Sequence, residues 1–151
     1  MENNMQTIHG SININASKQK VWQVLHEDKY NRQWYAEFSA GTYAKTDWQV
    51  GGKAIFTDDS NSGLIGKILK SRPPEELVIE YEGVLTNGEE VYDSAEAKAV
   101  KGGKETYVLT GDDAQTQLLI ECDMNKDYYD FMSKAWEKAL QKIKDLSESK
   151  S

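Results

Sequence analysis

The sequence predicts an α+β domain in which an antiparallel sheet packs against one long C-terminal helix. Three observations support this fold class. Apolar and polar residues alternate strictly near the N-terminus, turn residues separate short apolar runs over residues 39–111, and a helical apolar stripe covers residues 126–147. At 151 residues the chain fits a single domain, residues 1–151, which can bury a sizeable core without disulfides or metal.

The first elements are expected to be a strand and two short helices. Alternate apolar positions from Ile8 to Ala16 are typical of a strand with one buried face. Ser17 follows, a residue that favours helix N-caps, and the apolar spacing then becomes helical. A second helix is expected to begin after Asp28 and to run through Trp34.

Residues 39–111 have the turn chemistry of an antiparallel meander, with turns at residues 51–52 and 72–75 among others. Residues 84–103 interrupt it with a run rich in Asn, Gly and Glu and then a short helical run that Asp93 could cap. An excursion of this length in a compact domain is either a lid over a pocket or a surface insertion. The sequence leaves both open.

The longest helix is expected over residues 126–147, and about twenty residues make a rod of roughly 30 Å, enough to cross a small sheet. Its stripe tapers, since wide side chains from Tyr128 to Trp136 precede slimmer aliphatic ones. Such a change in side-chain width is typical of a helix that forms one wall of a cavity at its start and packs into a core at its end. Simple core packing along the whole stripe is the alternative.

The net charge, the single cysteine and the absence of a long apolar run indicate which partners, cysteine chemistry and location to expect. A net charge of −7 opposes binding to a polyphosphate, so we expect no nucleic-acid partner. The single cysteine, Cys122, lies in an apolar run and is expected to be a buried small hydrophobe. No secretory signal is visible and no apolar run approaches membrane-spanning length, so we expect a cytoplasmic protein without a membrane span.

No motif in the chain is typical of a metal site or of catalysis. His9 and His26 have no second His or Cys at ligand spacing, so we expect neither a metal nor a cofactor. Catalytic residues stay unknown. Glu80, Glu105 and Glu121 would face inward only if a strand register differs by one residue from the predicted alternation.

Several motifs resemble one known family over nearly the whole chain. They are ASKQKVW at 16–22, WY at 34–35, DWxVGG at 47–52, PPEELVIEY at 73–81, ETYxLT at 105–110 and the late helix with Trp136. These resemble the bacterial homologues of the heat-shock chaperone ATPase activator, an AHSA-like family of the START-related SRPBCC superfamily. The resemblance implies a helix-grip fold, with a curved antiparallel sheet of about seven strands, in the order β-α-α-β6-α, wrapped around the C-terminal helix.

The resemblance also implies a cavity between the concave sheet and that helix, often holding an apolar or aromatic small molecule. The chain supplies four Trp and eight Tyr, which suit a mostly apolar pocket with a few orienting hydroxyls. The expected cavity-lining residues are Trp34, Tyr35, Phe38, Phe56, Ile79, Tyr81, Tyr107, Tyr128, Phe131, Met132 and Trp136.

Three functions stay open. The first is a small-molecule binding protein whose physiological ligand is unassigned. The second is a cyclase- or hydrolase-like enzyme in the same cavity, which needs a buried polar group with a pKa moved toward neutrality. The third is a protein-interaction or stress-response module, which needs an exposed apolar patch or an acidic face matched to a basic partner. The sequence leaves the oligomeric state and any protein partner open.

Overall fold

The computed structural model describes residues 5–149 and has the predicted helix-grip fold. A curved antiparallel sheet carries helices along one side. In chain order the elements are β1 (Met5–Ile14), α1 (Lys18–His26), α2 (Asp28–Tyr35), β2 (Tyr43–Lys45), β3 (Lys53–Thr57), β4 (Gly63–Arg72), β5 (Glu76–Thr86), β6 (Glu89–Val91), α3 (Ala95–Val100), β7 (Lys104–Gly111), β8 (Thr116–Asn125) and α4 (Tyr129–Glu148). The strand order is β1-β8-β7-β5-β4-β3-β2, and β6 pairs with the end of β5.

The N-terminal elements confirm the prediction from sequence. Ile8 and Ile14 are buried on one face of β1, while the polar residues between them are exposed. Ser17 caps α1, since its hydroxyl accepts the backbone N–H of Lys20 at 3.1 Å. The second helix is one residue longer at each end than expected, since it begins at Asp28 and ends at Tyr35.

The excursion over residues 84–103 contains an additional strand, β6, and the helix α3, so the described residues form eight strands where about seven were expected. The predicted cap at Asp93 is wrong. Ser94 is the N-cap, because its hydroxyl accepts the backbone N–H of Ala97 at 3.1 Å. Ala97 is fully buried, and α3 packs against β5 and β8.

The two ends of α4 have different surroundings, and this matches the taper of its stripe. The helix packs on β1 and against α1 and α2, and its buried side chains begin at Ala135 and Trp136. Its axis comes close to the sheet at Gly10, where an added Cβ would lie 3.0 Å from Leu140 Cδ1. Phe131, near the N-terminal end, is instead 63% exposed. In residues 5–149, no helix combines the length and the apolar character needed to span a membrane.

Candidate functional site

A cavity of about 550 Å³ lies between the sheet, α3 and the N-terminal end of α4. Pockets for small molecules commonly measure about 300 to 1,000 Å³, so this one is large enough for a drug-sized molecule. Strands β4, β5, β7 and β8 supply one wall. The side chains of that wall include Leu64, Tyr81, Val84, Glu105 and Cys122.

The second wall is α3, which lies over the sheet because of how the strands on either side of it pair. The β5–β7 ladder ends at Glu80 and Lys104. Beyond it, the Tyr81 N–H donates to the Gly103 carbonyl at 2.8 Å, and the Gly102 N–H donates to the Tyr81 carbonyl at 3.0 Å. The chain between Tyr81 and Gly102 therefore forms a loop whose two ends are hydrogen-bonded to each other. Its helix presents Ala95, Glu96, Ala99 and Val100 to the cavity.

The third wall is the entry into α4. A 3-10 turn (Lys126–Tyr128) precedes the helix, and its start is capped by the Asn125 side chain, which accepts the Asp127 N–H at 2.8 Å. This turn and the first residues of α4 bring Tyr128, Phe131 and Met132 to the cavity. Tyr128 and Phe131 are 64% and 63% exposed, so their rings form the mouth of the cavity.

One carboxyl group lies inside the cavity wall. Glu105 is 8% exposed, and on the sheet it is paired with Cys122 of β8 and Ile79 of β5. The Tyr81 hydroxyl donates to its Oε1 at 2.7 Å, the Tyr107 hydroxyl donates to its Oε2 at 2.5 Å, and the Cys122 thiol lies 3.7 Å from Oε1. Three neutral donors from three adjacent strands therefore hold this carboxyl group.

Burial dominates the electrostatics of this cluster. It raises the pKa of Glu105 above the usual glutamate value, although hydrogen bonds from Tyr107, Tyr81 and Cys122 oppose the shift. Burial, reinforced by the nearby Glu105 carboxyl, also raises the pKa of both tyrosines and of the Cys122 thiol well above their ordinary values. The tyrosines and the cysteine are therefore neutral donors, and Glu105 is the acidic group of this cluster whose pKa burial raises above the ordinary glutamate value.

Four of the eleven expected site residues line the cavity: Tyr81, Tyr128, Phe131 and Met132. The other seven are packed next to it, between α2, α4 and the sheet: Trp34, Tyr35, Phe38, Phe56, Ile79, Tyr107 and Trp136. The Trp136 ring has its centroid 4.9 Å from that of Phe38 and 6.1 Å from that of Trp34. These side chains fill the space where α4 comes close to the sheet. That these eleven residues contact a ligand stays a prediction.

The sequence did not identify most of the α3 residues that line the cavity. It placed Glu105 on the inward face only if the strand register differed by one residue. In β7 the buried positions are Glu105, Tyr107 and Leu109, so Glu105 faces inward with no shift in register. The alternation from Leu109 back through Tyr107 was the signal that could have placed it. Glu121 instead has an exposed side chain, 3.9 Å from His9, and Glu80 does not line the cavity.

Other chemistry is sparse in the described part of the chain. Within residues 5–149, no three His, Cys, Asp or Glu side chains are grouped so as to hold a metal ion. His26 Nδ1 lies 2.7 Å from the Trp22 carbonyl at the end of α1, and its ring lies beside that of Trp48. Cys122 is a buried free cysteine, as expected.

Residues 15–148 match the sequence model of the family described as Activator of Hsp90 ATPase homolog 1-like protein. A comparison with curated proteins finds no match. Three solved structures give the scale of the structural likeness. CalU16 from Micromonospora echinospora is 19% identical with a TM-score of 0.67, over 95% of this chain and 77% of that one.

Protein MLL2253 from Mesorhizobium loti is 17% identical with a TM-score of 0.71, over 97% of this chain and 99% of that one. DynU16, from the dynemicin biosynthetic locus, is 13% identical with a TM-score of 0.68, over 95% of this chain and 47% of that one. At these identities the likeness shows a shared fold and no more.

Proposed function

This chain belongs to the Activator of Hsp90 ATPase homolog 1-like family, and we propose that it is a small-molecule binding protein whose ligand occupies the cavity between the sheet, α3 and α4. The cavity itself carries the proposal. Its volume of about 550 Å³ and its mostly apolar walls, with a few hydroxyl and carboxyl groups, are typical of a ligand pocket.

The way the walls are built supports a preformed site. The fully buried Ala97 fixes α3 to the sheet, and Ser94 caps that helix. The aromatic rings of Tyr128 and Phe131 are exposed at the mouth, where burying them against a ligand would be favourable by about 25 cal/mol per Å² of apolar surface. Of the similar structures, DynU16 comes from a biosynthetic locus, which is in keeping with a small organic ligand.

A fluorescent apolar probe tests this proposal. N-phenyl-1-naphthylamine is uncharged and fluoresces more strongly in apolar surroundings, so titration with the wild type should give saturable enhancement. Ala99 lies on the cavity wall of α3 and is itself exposed. Ala99→Trp should therefore fill the cavity with little loss of stability and weaken probe binding by about tenfold or more.

Ala114→Trp is the matched control, because Ala114 lies in the exposed turn between β7 and β8, away from the cavity. It makes the same chemical change and should leave probe affinity unchanged. If both tryptophan variants bind the probe as well as the wild type does, the probe binds elsewhere and the proposal is wrong. If the wild type shows no saturable binding, the proposal is also wrong.

Acid–base catalysis in the same cavity is a second candidate function, and the buried carboxyl of Glu105 favours it. A carboxyl whose pKa is raised by burial is a typical general acid or base. Hydrolysis of 4-nitrophenyl esters of graded chain length tests this function. Turnover by the wild type that disappears in Glu105→Gln, with probe binding retained, would support an enzyme. Equal rates in both proteins would exclude Glu105 as the catalytic group for these esters.

A further inference from the structure

Within the described residues 5–149, the charged side chains of the cavity wall are all acidic. Four of them line the cavity, namely Glu96, Glu105, Asp123 and Asp127, and no Lys, Arg or His from this range does so. Glu96 and Asp127 are exposed and therefore lie on the solvent side. A negative potential is focused in a cleft of this kind, because its apolar walls have a low dielectric constant.

The other two acidic residues, Asp123 and Glu105, differ in their hydrogen-bond partners. Asp123 accepts the Thr7 hydroxyl at 2.6 Å and the Lys104 backbone N–H at 3.1 Å, so both of its oxygens have protein donors. Glu105 is held by neutral donors only, and no ion pair in the described range 5–149 includes it. In its ionised form, Glu105 therefore has no counter-charge from these residues.

Glu105 also has acceptor capacity left. A carboxylate has about four lone-pair sites, and the three donors that the structure gives Glu105 occupy at most three of them. A buried carboxylate without a cation is unfavourable, because desolvation is offset only in part by hydrogen bonds from neutral groups. A ligand that brings an ammonium group into the cavity would supply both the missing charge and a fourth donor.

We propose that the cavity selects apolar or aromatic molecules that carry a basic nitrogen, with the ammonium group against Glu105 and the hydrocarbon part against the walls formed by α3 and α4. This inference rests on the proposed function, since it names the class of ligand for the same cavity. It follows that fatty acids and other carboxylates are poor ligands, because their charge would meet that of Glu105, Glu96 and Asp127.

Three molecules with one carbon skeleton test the inference: 4-phenylbutylamine, 4-phenylbutanol and 4-phenylbutanoate. Each competes with N-phenyl-1-naphthylamine for the wild type, for Glu105→Gln and for Glu121→Gln. In the wild type the amine should bind at least about tenfold more tightly than the alcohol, because hydrogen bonds between charged groups are roughly twice as strong as neutral ones. The carboxylate should bind most weakly.

Glu105→Gln keeps the size of the side chain and should reduce the preference for the amine over the alcohol to about threefold or less. Glu121→Gln, an exposed position on the adjacent strand, should keep the wild-type preference. Retained binding of the naphthylamine probe shows that the Glu105 variant is folded, and circular dichroism gives a second check.

Two results, each obtained while the naphthylamine still binds, would overturn this inference but not the proposed function. One is a carboxylate that binds the wild type as tightly as the amine does, and the other is an amine preference that survives Glu105→Gln. Loss of all binding, by the probe and by the three competitors, would overturn the proposed function and this inference together. The naphthylamine titration therefore distinguishes the two failures.

Discussion

Replacement of Trp136 by alanine tests whether α4 changes from cavity wall to core along its length. The Trp136 side chain is 2% exposed, and its ring contacts those of Phe38, Tyr107 and Trp34 at centroid distances of 4.9, 6.0 and 6.1 Å. Truncation removes these contacts and leaves a void that surrounding rings cannot fill, because they are held by the sheet and by α2.

The expected loss is about 3 to 5 kcal/mol, the usual range for a fully buried Trp or Phe. A domain of this size has about 5 to 15 kcal/mol of stability, so the variant should be close to unfolding at physiological temperature. Met132, one turn earlier, is only half-buried and lines the cavity. Met132→Ala should therefore cost less, roughly 1 to 2 kcal/mol, since fewer protein contacts are lost.

Urea denaturation followed by circular dichroism measures both losses, and naphthylamine titration measures binding in the same samples at low urea. Met132→Ala should change probe affinity more than its stability loss alone explains, because it removes part of the cavity wall. Equal stability losses with unchanged affinity would refute the reasoning. In that case the whole stripe would be ordinary core, and the cavity would not be where the probe binds.

Three further substitutions test the close approach of α4, the α3 wall and the buried carboxyl. Gly10→Val would place a Cβ 3.0 Å from Leu140 Cδ1 and should cost about 1 to 3 kcal/mol by urea denaturation. Ser94→Ala removes the cap of α3 and should weaken stability by about 1 kcal/mol, with faster hydrogen exchange in that helix. Burial raises the pKa of Glu105 in the folded state, so the folded chain holds this proton more tightly than the unfolded chain does. The stability of the wild type relative to Glu105→Gln should therefore fall as pH rises above the ordinary glutamate pKa, with no comparable trend for Glu121→Gln.

The elements that have a clear periodicity were predictable from the sequence. The alternation in β1, the Ser17 cap and the apolar stripe of α4 each depend on local spacing. The structure confirms the first two, and it confirms the stripe as buried from Ala135 onward. Turn chemistry located the meander in the same way. Local patterns of this kind predict structure because neighbouring side chains on one face of an element share the same surroundings, either the core or the solvent.

The composition of the cavity wall was less predictable, because it depends on how distant segments meet. No local pattern shows that the β5–β7 ladder ends at Glu80 and Lys104, and that pairing is what brings α3 over the sheet. Ala99 and Val100 therefore looked like residues of an unassigned excursion. Glu105 was difficult for another reason, since charged residues are rarely buried unless they are paired.

The cavity exists because α4 cannot pack closely against the sheet along its whole length. From Ala135 onward, the small side chains of Ala135 and Ala139, together with Gly10 of β1, allow a close approach, and both alanines are buried. At its N-terminal end the wide side chains of Phe131 and Met132 line the cavity together with residues of α3, which packs against β5 and β8. The space left between them ends at the inward-facing carboxyl of Glu105. The size of the cavity therefore depends on the taper of α4 together with the position of α3, and its polarity depends on one residue of β7.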